Sequence, residues 1–150
     1  MTDQPDQPDQ PDRPARRITE VERAGLVLDV IDDGPLDGDV VVLLHGFPER
    51  ATSWRLVAPL LHDAGYRTLA MDQRGYAPRA RPRRRRDYRV AELEADVLAL
   101  VDAAVGPGGR VHLVGHDWGA VVGWAFAQHH GSRLHTFTAV SVPSSATLGT

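Results

Sequence analysis

The spacing of apolar residues changes along this chain, and the change outlines its architecture. "ITEVERAG" (18–25) and "LVLDVID" (26–32) alternate apolar with polar residues, the mark of half-buried antiparallel strands. "DVVVLLHG" (39–46) differs: Val40 to Leu44 are all apolar, as in a strand buried on both faces. "YRTLAMD" (66–72), "RVHLVG" (110–115) and "FTAVSV" (137–142) predict three further short strands. Helical spacing fills the gaps. In "SWRLVAPLLHDAG", Pro59 must open or kink a helix and Gly65 suits its C-terminal cap. "VAELEADVLALVDAA" (90–104) puts Leu93, Val97, Leu100 and Val101 on one face. "WGAVVGWAFAQHH" is apolar nearly all round, which predicts a well-buried helix.

Strand and helix alternate from residue 39 onward, after an antiparallel start. That is the pattern of an α/β protein with a mostly parallel sheet and flanking helices. In such sheets functional residues lie beyond the C-terminal ends of the strands. The chemistry is therefore expected just after Leu44, Met71 and Val114.

Residues 1–17 read differently. "DQPDQPDQPDRP" (3–14) places proline at every third position, the period of polyproline II, and offers nothing apolar to bury. An extended, disordered tail is expected there, with one α/β unit over 18–150. The 150 residues fit one modest domain or part of a larger one. The chain has no cysteine, which excludes disulfides, zinc–thiolate sites and a thiol nucleophile. The first residues lack the apolar core of a signal peptide, and no apolar run is long enough for a bilayer span. A cytoplasmic location is expected, with no membrane partner. The formal net charge of −3 points to no particular partner. The 17 Lys+Arg residues are all arginine, and seven of them fall in "APRARPRRRRDYR" (77–89). That stretch reads as a solvated loop rather than a nucleic-acid surface, since its only aromatic residue is Tyr88.

Two of the strand ends carry candidate chemistry. After Val114 come Gly115, His116, Asp117, Trp118 and Gly119, joining a buried strand to a buried helix. A tight turn there strains the central residue and lifts its side chain above the sheet, while the helix N-terminus favours an ionised Asp117. The plainer alternative is that Asp117 only caps the helix. After Leu44 come His45, Gly46, Phe47, Pro48 and Glu49. A His-Gly loop at such a strand end aims a backbone N–H into a site, and Pro48 would stiffen it.

Taken together, "HGFPE", "DQRGY" and "VGHDWG" resemble the epoxide-hydrolase branch of the α/β-hydrolase superfamily, in family order, over about Ile18 to Val142. The resemblance implies an α/β-hydrolase fold, truncated here before its cap and last strands. It implies Asp117 as the nucleophile and the N–H groups of Phe47 and Trp118 as oxyanion donors. His45, Gly46, Pro48, Gly115, His116 and Gly119 would support the loops, and Asp72 and Arg74 would order theirs. The implied substrate is a small apolar epoxide opened to a diol, with no cofactor and no metal.

The nucleophile type is informative in itself. A serine would form an ether with an alkyl carbon, which water does not readily cleave, whereas a carboxylate forms a hydrolysable ester. Haloalkane dehalogenases share that logic but commonly carry Asn where this chain has Phe47, so the phenylalanine favours an epoxide.

The family also uses a late histidine base, its acid partner and two cap tyrosines, none of which is assigned in these residues. Of the local histidines, His129 and His130 lie roughly 18 Å along the helix and His112 about 16 Å back along the strand. His62 and His135 read as surface or helix-end residues. A fragment, a truncated reading frame or one piece of a split protein is therefore expected, and an inactive interaction module is the non-enzymatic alternative.

Overall fold

A computed structural model describes residues 15–144. The repeat at 3–14 and the last six residues lie outside them. The predicted antiparallel opening is strands β1 (Glu20–Arg23) and β2 (Leu26–Asp33), with Val21, Leu28 and Val30 turned inward. Strand β2 pairs antiparallel with β4 (Arg67–Met71). From there the sheet is parallel: β4, then β3 (Val40–Leu44), β5 (Val111–His116) and β6 (Leu134–Val140). The strand order is β1-β2-β4-β3-β5-β6.

Every residue of β3 is buried, as its unbroken apolar run requires. Val42 and Leu44 face the larger core, with Leu69, Met71 and Leu113 beside them. Helices α2 (Val90–Val105) and α3 (Trp118–His130) close that face with Leu93, Val97, Leu100, Val122 and Phe126. Val41, Leu43 and Ala70 face the other way, under a short 3-10 turn (Ala51–Trp54) and helix α1 (Ala58–Asp63). Pro59 sits in the first turn of α1, where a missing N–H costs nothing, and Gly65 follows the helix with φ 91°.

Two sequence expectations need correction. Helix α3 is buried on one face only: Gly119, Ala120, Val122, Gly123 and Phe126 are inside, while Trp118 and Trp124 are exposed. Its outer face has no element packed over it among the described residues. Strand β6 begins at Leu134 rather than Phe137 and stops at Val140, where Ser141 turns to φ 71°. It pairs on one side with β5. Phe137 lies edge-on to Trp124 over Gly123, and His135, Thr136, Thr138 and Val140 are the exposed residues. Helix α2 also buries two acids, Glu94 and Asp96. Asp96 accepts hydrogen bonds from Arg23 of β1 and Arg74 of the loop after β4, and Glu94 faces His129 and His130 at the end of α3.

Candidate active site

Strands β3, β4 and β5 run parallel, so the loops after Leu44, Met71 and His116 emerge at one end of the sheet. Two of them meet. At the end of β5 the backbone turns straight into α3, and Asp117 occupies the turn with φ 52° and ψ −117°. For a residue bearing a Cβ this is a strained conformation, held by its surroundings. Those surroundings require glycine. A Cβ on Gly119 would collide with the carbonyls of Leu44 and His45, and one on Gly115 would collide with Gly119. The two glycines therefore let α3 enter directly against β3 and β5.

Asp117 stands at the N-cap position of α3, yet its side chain makes no capping bond. Its Oδ2 instead accepts a hydrogen bond from the N–H of Phe47, at 2.9 Å. That bond first, then one from the backbone N–H of Trp118, holds the carboxyl below the usual aspartate range. Gly46 permits the approach, since a Cβ there would lie 2.6 Å from the Cβ of Asp117.

The loop after β3 is braced from beneath. His45 is fully buried, and burial lowers its pKa. Its Nε2 accepts the N–H of Gln73 at 3.0 Å, so Nδ1 carries the proton and donates to the Gly46 carbonyl at 2.9 Å. The Gln73 side chain donates in turn to the His45 carbonyl at 2.6 Å. Neutral His45 thus ties the loop carrying Phe47 to the loop after β4. Pro48 follows through a cis Phe47–Pro48 bond. Next, Arg50 pairs with Asp72, which also accepts the N–H of Ala51 at 2.7 Å. Arg74 is buried against Asp96. Both residues after β4 thus order their loops.

His116 is half-exposed, with its Nδ1 3.4 Å from Glu49 Oε2. Glu49 also accepts the Gly46 N–H at 3.3 Å. Sequence reasoning assigned no role to Glu49, Gln73 or Tyr76. Tyr76 lies edge-on to His45, 4.7 Å between ring centres, and burial first and then the Asp117 charge raise its pKa. The three sit inside the motifs quoted above, but motif membership alone does not say which side chains converge. The other histidines are engaged elsewhere: His62 with Thr68, His112 with Thr136 and stacked near His135, and His129 and His130 with Glu94. No histidine hydrogen-bonds to Asp117 among the described residues. No helix there is long and apolar enough to cross a membrane.

The model of the alpha/beta hydrolase fold family matches residues 39–149, and the chain belongs to that family. It is 45% identical over 124 residues to epoxide hydrolase A of Mycobacterium tuberculosis, covering 83% of this chain and 38% of that protein. Among solved structures, an epoxide hydrolase from Vigna radiata superposes with a TM-score of 0.77 at 39% identity, over 83% of this chain and 39% of that one. Epoxide hydrolase A from Mycobacterium thermoresistibile gives 0.77 at 40% identity, over 83% and 38%. The chain thus spans well under half the length of these relatives.

Proposed function

We propose that this chain carries the nucleophilic half of an epoxide-hydrolase site, acting on a small apolar epoxide in the cytoplasm. The observation that supports this most directly is the bond from Phe47 N–H to Asp117 Oδ2. With Oδ2 tied to the oxyanion loop, Oδ1 is the oxygen that attacks. It forms a bond to an epoxide carbon as the ring C–O bond breaks, and the resulting alkoxide takes up a proton. The product is a hydroxyalkyl ester of Asp117. Water then adds to the ester carbonyl carbon, giving up a proton to a base from outside the described residues. The N–H groups of Phe47 and Trp118 receive the oxyanion, and collapse releases the diol and restores the carboxylate.

The likeness to epoxide hydrolases at 44–45% identity supports the reading, and so does a turn that presents a carboxylate where serine would yield an uncleavable ether. The test is diol formation from a terminal aryl epoxide by a longer gene product that supplies the base, wild type against Asp117→Ala. The reading requires complete loss in the variant; full activity would overturn it. Halide release from a haloalkane, with no diol from any epoxide, would move the assignment to dehalogenation.

A further inference from the structure

The two faces of the sheet are covered unequally. Helices α2 and α3 lie on one face, whereas the other carries the 3-10 turn Ala51–Trp54 and the short helix α1. Six residues make about 9 Å of helix, and the β2 side of this face stays partly open. Ile31 of β2 is 46% exposed there.

A cleft of about 240 Å³ lies between the turn, α1 and the β2–β4 pair. Ile31 and Asp33 of β2 stand opposite Ala70 and Thr68 of β4 in the sheet register, and these four form its floor. Trp54 and the first turn of α1 form its walls. Alanine at positions 51, 58 and 70 leaves the space, which larger side chains would close.

Two polar side chains of the cleft are engaged within it. Thr68 Oγ1 lies 2.7 Å from His62 Nε2, and Asp33 Oδ1 accepts the Gly34 N–H at 2.8 Å. Trp54 differs. It is 9% exposed, and its indole N–H is buried with no acceptor among the described residues. Buried donors are nearly always paired, because an unpaired one keeps the full cost of leaving water. An oxygen brought by a ligand would remove that cost. The side-chain adjustment that carries the indole N–H to a bound oxygen is of a kind common on binding.

Size and lining define the ligand. An apolar cavity of about 150 Å³ holds benzene, so this one has room for an aromatic ring and a short substituent. Ile31, Ala58, Pro59, Ala70 and the indole supply apolar contact. Asp33 and Arg55, one charge of each sign, are exposed and favour neither an anion nor a cation. We propose that the cleft binds an uncharged monocyclic aromatic molecule with one acceptor oxygen, such as an aryl ketone, whose oxygen takes the Trp54 N–H. The site is independent of the chemistry at Asp117.

The chain has three tryptophans, so their indole N–H signals in a ¹⁵N spectrum of the whole chain report on the site. Trp54→Phe assigns the Trp54 signal by its loss. Titration with acetophenone should move that signal saturably and leave those of the exposed Trp118 and Trp124 in place. α-Methylstyrene has the same shape with CH2 in place of the oxygen. It should bind roughly three- to tenfold more weakly, the worth of one neutral hydrogen bond. Ala58→Leu fills the cleft from α1 and should abolish the shift. If that variant loses its fold, the comparison of the two ligands on wild type decides alone. A Trp54 signal that stays in place, or moves without saturating, would overturn the proposal. So would equal affinity for α-methylstyrene, or a shift that survives in folded Ala58→Leu.

Discussion

The N–H of Phe47 donates to Oδ2 of Asp117 at 2.9 Å, joining residues 70 positions apart. One arm is the loop after β3 and the other is the turn after β5, so the adjacency of these two parallel strands creates the contact. The same N–H that steadies the carboxylate at rest is placed to receive negative charge on that oxygen later.

This arrangement sets an acid limit. Asp117 is held below the ordinary value of 3.8 by the Phe47 N–H and then the Trp118 N–H. A depressed pKa keeps the attacking carboxylate ionised as pH falls. The rate of alkylation by an uncharged epoxide should therefore be flat from pH 7 down to about pH 4 and decline only below the ordinary carboxylate range. Initial rates in buffers of constant ionic strength measure it. A midpoint near pH 5 or 6 would show that these two N–H groups do not control the carboxylate.

His45 braces the loop without touching the reacting atoms. Replacing it with Ala leaves the Gln73 N–H without its partner in a buried place and takes one of two donors from the Gly46 carbonyl, which keeps the Glu49 N–H, at a cost of about 1–3 kcal/mol. Because burial lowers its pKa, the folded protein binds the proton less readily than the unfolded chain. Stability should therefore fall as pH drops through the ordinary histidine value of 6.5 toward the lower folded one. Urea melts of wild type and His45→Ala between pH 5 and 8 check both statements, and the histidine component of the pH slope should vanish in the variant.

Gly119 and Gly131 stand at opposite ends of α3 and should respond oppositely to alanine. At Gly119 the new Cβ strikes the backbone of β3, which does not yield, so a loss of about 3 kcal/mol or more is expected. At Gly131 it meets open space with φ −57°, so alanine should be neutral or stabilise by about 0.4–1 kcal/mol. Thermal unfolding of the two variants distinguishes them.

Asp32 is fully enclosed and holds the buried Arg67 as well as Arg17 and the Ile18 N–H. Burial alone would raise its pKa, but the bonds from Arg67, Ile18 and Arg17 outweigh that and lower it. Its contribution to stability is thus present above the ordinary carboxylate value and is lost as pH falls through the lower folded one. Asp32→Ala strands Arg67 without its partner and should cost about 3–5 kcal/mol at pH 7, read from denaturant melts.

The strand ends that carry the site were legible because a fully buried β3 and the Gly-x-Asp-x-Gly turn leave few alternatives. The loop-ordering roles of His45, Asp72 and Arg74 were implied only by the family resemblance. The partners were not legible. The helical spacing of α2 shows only its apolar face, and Asp96 gains its partners because β1 and the loop after β4 bring Arg23 and Arg74 to it from 73 and 22 residues away. Helix α3 reads as buried all round because composition counts its apolar residues without knowing which neighbours are present. The limits of β6 escaped because its first residues, Leu134 to Thr136, are set by pairing with β5 rather than by an apolar run.

The central claim is that Asp117 attacks carbon. The most direct measurement is intact-mass and peptide mass spectrometry of the chain after incubation with a styrene-type epoxide. The account predicts one added epoxide per chain, located on Asp117 as an ester. That ester should persist, because no histidine hydrogen-bonds to Asp117 among the described residues to activate water, and it should be absent from Asp117→Asn. Modification spread over other side chains, or equal labelling of the Asn variant, would contradict it.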